Sequence, residues 1–303
     1  GAFSFLPSCS PLAPEPGVAE RWEISEDGRQ YTFNLRSNAK WTNGDAVKAS
    51  DFAYSYQRML TPALGAKYAY MLHVLKNAKA FNEGTLKDFS EVGVEVVDDR
   101  TLVLILEEPT PYFLQLINHY SWYPVHPPTI KKFGGMTQRD SKWTQPENFV
   151  GNGSFRLKEW KLNEHVLVEK SSTYWDAAQV KLEKIYFLPI TSAETEEKMF
   201  RDNQLHATQT IPLTRIEHYQ KKESDVLRVD PYLGTYFYRV NVNHKALKDK
   251  RVRHALAMSI NRHEITRFVL KAGQIPAYHI TPPNTAGYTA RANVLKRLHG
   301  YHI

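Results

Sequence analysis

Hydrophobic and polar positions alternate most cleanly over Gln30–Arg36, where Tyr31, Phe33 and Leu35 interleave with Thr32, Asn34 and Arg36. A period of two puts the three apolar side chains on one face of a strand. Ala19–Ser25 precedes it, and Glu26-Asp-Gly28 between them supplies the positive-φ turn that a hairpin needs. A second pair is predicted from Val92–Val97 and Thr101–Leu106, turning at Asp98-Asp99. Between the pairs, Asn43-Gly44 marks a turn, and Ser50 is placed to cap a helix whose Phe52, Tyr56, Met59 and Leu60 share one stripe. Pro111 opens a short helix carrying Phe113, Leu116 and Ile117 on one side.

The stretch from Tyr120 to Asn148 is rich in Pro, Gly and Lys without periodicity, and reads as a long connection and subdomain boundary. Beyond it the pattern predicts strands at Gly153–Trp160, His165–Lys170 and Lys184–Pro189, and helices at Glu194–Asp202 and Leu213–Lys221. A strand over Leu233–Asn243 follows. The last predicted helix is Asp249–Ile260, with Val252, Leu256 and Ile260 inward and Lys250, Arg251 and Arg253 mostly outward. Strands mixed with helices and joined by crossovers give an α/β or α+β class with more than one lobe.

Composition narrows the class further. The 303 residues are 42% hydrophobic, 23% charged and 12% aromatic, which excludes disorder and fibrous repeats. No apolar run approaches the roughly 18 residues of a spanning helix. The net charge is +7, but the basic residues are scattered among acids, with the densest cluster at Lys248–Arg253; this argues against nucleic acid. Cys9 is the only cysteine, so no intramolecular disulfide or thiolate zinc cluster can form. Phe3–Cys9 faintly resembles the end of a bacterial lipoprotein signal, which makes Cys9 a lipid-anchor candidate. The basic and apolar regions of such a signal are missing, and the segment reads as an irregular leader. The chain begins without Met, which leaves room for an upstream segment.

Catalytic patterns are absent. There is no HExxH, GxSxG or Walker loop, and Gly151-Asn-Gly153 leads into a strand instead of opening a helix as a phosphate cradle would. His299 and His302 alone have metal-friendly spacing, and they read as a solvated tail. No nucleophile is paired with a base, so neither an enzyme nor a cofactor is expected. The aromatics are more suggestive: Tyr232, Tyr236, Phe237 and Tyr238 crowd seven residues, as core or as the wall of a cleft.

Several segments, in order, resemble one family: the oligopeptide-binding proteins of bacterial ABC importers, within the family 5 solute-binding cluster. They are Glu15–Gly28, Tyr31–Arg36, Trp41–Asp45, Ala49–Phe52, Asn152–Trp160, Thr173–Trp175, Asp230–Tyr238, Arg251–Leu256 and Pro276–Pro283. The resemblance covers about residues 15–290.

It implies a two-lobe fold of the periplasmic-binding-protein type II kind, closing on an extended peptide, with an extra subdomain on one lobe. By motif, residues 1–145 match the extra subdomain, 146–233 the main part of the first lobe, and 234–303 the start of an incomplete second lobe. The implied function is an extracytoplasmic, periplasmic receptor that delivers oligopeptides to permease subunits. It would act as a monomer, touching the membrane only through the permease or a lipid anchor. Tyr68, Gln209, Thr210, Tyr232 and Phe237 match ligand-lining positions. Gly234 stands where some relatives carry a half-cystine, and Arg239 where close relatives carry an acidic pocket residue. Two other readings stay open: the ligand-sensing part of a transcriptional regulator, and a truncated remnant that binds nothing.

Overall fold

A computed structural model describes residues 3–4, 14–230, 232–283, 285 and 288, with the side chains of 3–4 excepted. The Cys9 leader and the His299/His302 tail lie outside the described residues. The chain divides into two compact units, 1–189 and 190–303.

In the first unit, β1 (Phe3–Ser4) pairs with β2 (Glu15–Pro16). A four-stranded antiparallel sheet follows, built from β3 (Ala19–Ile24), β4 (Gln30–Leu35), β5 (Val94–Val96) and β6 (Thr101–Ile105) in the order β3-β4-β6-β5. The alternation read from the sequence holds: Tyr31, Phe33 and Leu35 are buried. Gly28 turns the first hairpin at φ +67°, a conformation that costs a glycine little. In the second hairpin the Asp98 carboxylate accepts from the Arg100 and Thr101 N–H groups at 2.7 and 2.8 Å.

Helix α1 (Ala49–Leu60) lays Phe52, Tyr56 and Leu60 into the core, as its stripe predicts. Its cap differs from the expectation. Ser50 lies within the first turn and Lys48 is the N-cap, whose N–H donates to the Asp51 side chain at 3.0 Å. The same Asp51 oxygen accepts from the buried Trp41 indole at 2.9 Å, so the acid three residues beyond the cap reaches back to the cap's own N–H, as the acidic member of a capping box does. After α2 (Ala78–Asn82) comes α3 (Phe113–Leu116), which adds Phe113 to the core. Tyr31, Phe113, Trp122 and Tyr56 then form a chain of rings with centroids 4.7, 5.5 and 5.2 Å apart. These spacings suit edge-to-face and tilted aromatic contacts.

The 120–148 connection is mostly irregular, as expected, but it is not peripheral. Trp122 is in the core, and α4 (Pro127–Lys132) buries Ile130. A three-stranded antiparallel sheet, β7 (Phe155–Lys161), β8 (His165–Lys170) and β9 (Lys184–Phe187), completes the unit in sequence order. Two ties join it to the first part: Thr42 and Gly151 exchange hydrogen bonds, and the Arg36 guanidinium lies 4.0 Å above the Trp175 ring.

The second unit carries α5 (Ala193–Arg201), α6 (Ile216–Lys222) and α7 (Lys250–Met258). All three helices were legible, and Asp249 caps α7 by accepting from the Arg251 N–H at 2.8 Å. Two expectations fail here. Residues 233–243 form no strand, and Val252 and Leu256 of α7 are exposed, not inward. Both failures have one cause: a strand exists only through its ladder and an apolar stripe is buried only by a partner. Among the described residues neither has one.

Candidate functional site

Tyr68 sits at the start of a single helical turn, Ala69–Leu72, in the first unit. Its ring meets Tyr70 at 6.0 Å, His119 at 5.1 Å and Tyr120 at 5.5 Å, while His119 and Tyr120 lie 4.1 Å apart. Four rings thus form one patch, assembled from the turn after α1 and the segment after α3. Tyr68, Tyr70 and Tyr120 remain partly or largely exposed. The hydrogen bond with Tyr68 holds the Tyr120 phenol above its usual range, and a tyrosine hydroxyl can both donate and accept. His119 keeps its place through its ring Nδ1, 2.9 Å from the Ser121 hydroxyl. Such a platform offers apolar faces and polar edges to an organic ligand.

In the second unit, Gln209 and Thr210 come together on one acid. Glu196 of α5 accepts from the Gln209 N–H at 2.9 Å and the Thr210 hydroxyl at 3.4 Å. The backbone of the loop is therefore held by a helix, and the Gln209 amide is left unengaged by that acid. The adjoining Glu197 is buried, and its Oε1 accepts from Arg201 Nε at 2.8 Å, Tyr219 Oη at 3.0 Å and Arg215 Nε at 3.1 Å. Burial pushes this carboxyl up, but the three donors outweigh it and hold the group below the usual carboxylate range. This cluster locks α5 to α6 and fixes the helix from which Glu196 reaches the loop.

Tyr232 and Phe237 are exposed on the strandless 232–243 segment, as are Tyr236 and Tyr238. A Cβ on Gly234 would stand 2.3 Å from the Tyr232 ring, so this glycine lets that ring fold back over the chain. Arg239 is exposed. Each predicted ligand residue is thus accessible at least in part, and Gln209 with Thr210 forms a true local pair. Tyr70, His119, Tyr120 and Glu196 were not singled out from the sequence. The paired tyrosines of Tyr68-Ala-Tyr70 and the adjacent His119-Tyr120 offered a signal, whereas nothing marks Glu196 apart from other helix acids. Among the described residues, no group of three or more His, Cys, Asp or Glu could hold a metal ion, and no helix is long and apolar enough to cross a membrane.

Residues 13–296 match the profile of the bacterial extracellular solute-binding proteins, family 5. The periplasmic oligopeptide-binding protein OppA of Salmonella typhimurium is 39% identical over 277 residues, 90% of this chain and 50% of its own length. The dipeptide-binding protein DppE of Bacillus subtilis is 38% identical over 271 residues, 89% of this chain and 48% of its own. The chain thus spans about half the length of these relatives. Among solved structures, the Escherichia coli murein tripeptide binding protein MppA superposes with a TM-score of 0.87 at 35% identity, covering 94% of this chain and 55% of that one. Haemophilus influenzae OppA, solved with the peptide RPPGFSPFR, gives 0.82 at 34% identity, covering 89% of this chain and 52% of that one. The mixed α/β class and the type II binding-protein fold of the matched half are therefore those of these receptors. The chain belongs to the bacterial extracellular solute-binding proteins, family 5.

Proposed function

We propose that this chain is the first half of an extracytoplasmic receptor that captures oligopeptides and hands them to the permease of an ABC importer. The observation that carries the reading is the match across residues 13–296 to a solute-binding family whose similar members are named for oligopeptides, dipeptides and murein peptides. Peptide capture with tolerance for sequence relies on backbone hydrogen bonds and on roomy pockets for side chains. Tyr68 with its aromatic neighbours supplies a pocket wall, Gln209 and Thr210 supply polar groups, and Tyr232 and Phe237 supply further aromatic contacts. In this reading residues 1–145 are the extra subdomain, 146–233 the body of the first lobe and 234–303 the start of the second. The protein works as a non-catalytic monomer outside the cytoplasm, and reaches the membrane through its permease or a lipid on Cys9.

The test is uptake. The chain is fused to the half of Salmonella OppA that it does not span and exported in a strain lacking its own oligopeptide receptor. Restored uptake of a labelled tripeptide, competed by unlabelled tri- to pentapeptides but not by deoxycholate, is the expected result. A folded, exported fusion that restores no peptide uptake overturns the reading. Deoxycholate is the control because a 33%-identical relative, Escherichia coli YgiS, is named as a probable deoxycholate-binding protein.

A further inference from the structure

A cation withdrawn from water without a counter-charge is unfavourable, so a half-buried guanidinium with no acid beside it marks a place that an anion would stabilise. Arg58, in the last turn of α1, is such a group. The residue is half-buried, its Nε is fully buried with no acceptor, and burial pushes its guanidinium below the usual range. A basic residue in a last helical turn is ordinary, because it faces the negative end of the helix dipole, but that role leaves the side chain in water. Arg58 lies instead against aromatic rings. The Trp143 ring centroid is 5.9 Å from its guanidinium carbon, and Trp143 is itself held by stacking on Phe149 at 5.9 Å. One turn back on α1, burial holds the Tyr54 phenol above its usual range with the Arg58 charge opposing, and Lys131 Nζ of α4 lies 5.6 Å from the Tyr54 ring.

The segment that supplies Lys131 and Trp143 runs beside α1 and past its C-terminal end. Met136 accepts from the Thr61 hydroxyl at 3.6 Å, and Arg139 Nε donates to the Leu64 carbonyl at 2.6 Å. These contacts gather Arg58, Lys131 and Arg139, with the exposed Lys132 and Lys142, along one strip of the first unit. Among the described residues none of these cations has an ion pair, whereas Arg29, Lys48 and Arg156 of the same unit meet carboxylates at 2.6, 2.9 and 2.7 Å. The acids of the segment, Asp140 and Glu147, are exposed and pair with none of them.

A strip with charge left over, centred on a guanidinium that is already desolvated and backed by an indole, suits an oxyanion. The guanidinium fork meets phosphate oxygens with two parallel hydrogen bonds, and ammonium groups add point charge around it. A carboxylate is balanced by Arg58 alone, whereas a phosphate, with about −2 charge, uses the lysines as well. We propose that Arg58, flanked by Lys131 and Lys142 and backed by Trp143, is a binding site for a phosphate group, supplied free or as the headgroup of an anionic lipid. None of these residues belongs to the Tyr68, Gln209 or Tyr232 regions, so the site stands apart from the peptide-binding reading.

The experiment titrates the 303-residue chain with inorganic phosphate and, separately, with vesicles of about 30% phosphatidylglycerol in phosphatidylcholine. The Arg58 Nε–H resonance, identified by its loss in Arg58→Lys, reads the free anion, and vesicle sedimentation reads the lipid. A saturable shift of that resonance, with a dissociation constant on the order of 1 mM or tighter, supports the site and assigns free phosphate as its source. Sedimentation with the mixed vesicles, but not with phosphatidylcholine alone, supports the site and assigns the headgroup. Lys131→Gln with Lys142→Gln, both at exposed positions, should weaken binding roughly fivefold for each lysine removed while leaving thermal melting read by indole fluorescence unchanged. A response to neither probe overturns the proposal, as does binding that the double variant leaves intact. An equal shift with acetate at matched ionic strength would be plain screening and overturns it too. The titrations are repeated on the fusion to the unmatched half of Salmonella OppA, where a lost response would assign these cations to a contact between the halves and overturn the site.

Discussion

Glu197 offers a sharp test of how the second unit is held. It is buried, and three donors from α5, α6 and the loop before α6 converge on one of its oxygens. Replacing it by Ala strands the Tyr219 hydroxyl, itself buried, and the unmet donor costs about 1–3 kcal/mol. The two arginines are partly solvated and rehydrate, so they add little. A loss of about 2 kcal/mol raises the open population of the α5–α6 pair roughly 30-fold. Amide exchange read peptide by peptide across α5 and α6 measures this directly. All six tryptophans lie within residues 1–189, so indole fluorescence serves as a control that the first unit is intact. Tyr219→Phe removes one donor and keeps the ring, and should cost about 1 kcal/mol. The pH dependence has a definite sign. The donors hold the folded carboxyl below its usual 4.5, so its stabilising contribution is complete above that value and is lost as the pH falls through the folded one. Unchanged protection of α5 and α6 in Glu197→Ala at neutral pH would refute the argument.

The first unit carries the opposite sign at Asp51. Burial holds this carboxyl above its usual 3.8, against the hydrogen bonds from Lys48 and Trp41, so folding favours its protonated form. Its contribution is then greatest below 3.8 and declines as the pH rises through the folded value, and Asp51→Asn should flatten that part of the stability–pH curve read by indole fluorescence. Asp51→Ala leaves the Trp41 indole N–H and the Lys48 N–H unpaired and should destabilise the unit by about 2–4 kcal/mol in a urea titration. Arg36→Ala removes the guanidinium from the Trp175 ring and from the Gly17 carbonyl, 2.6 Å from its Nε, and should cost about 1 kcal/mol by thermal melting, with Arg36→Lys recovering part of it.

What the sequence disclosed followed the range of each signal. Tyr31, Phe33 and Leu35 announced their strand because period two and burial on one side are local properties, and the Asp27-Gly28 turn fixed its partner. The same period over Leu233–Asn243 misled, because alternation encodes which faces want cover and not whether a neighbour is present. Residue type points to Ser50 as the cap, whereas the backbone enters the helix at Lys48 and uses Asp51, whose carboxylate also accepts from the buried Trp41 indole. The Tyr68–His119–Tyr120 patch joins two segments far apart in the chain, so spacing gives each half but not their meeting. In the Glu197 cluster only the Glu197–Arg201 pair, four residues apart on α5, has a readable spacing, whereas Arg215 and Tyr219 reach it through the packing of α6. The order of short motifs fared best: each is weak alone, but their succession from Glu15 to Pro283 is the signature of the family to which the chain belongs.

Whether this chain carries one wall of a peptide site is tested most directly by paired calorimetry with a pool of tri- to pentapeptides. Binding from one wall forgoes roughly half the buried contacts while the ligand still loses its freedom. The chain alone should therefore show weak or undetectable heat, and its fusion to the unmatched half of Salmonella OppA should bind with micromolar or tighter affinity. Tyr68→Ala in the fusion should weaken that binding about tenfold or more. Micromolar binding by the chain alone, or a folded fusion that binds no peptide, would contradict the account.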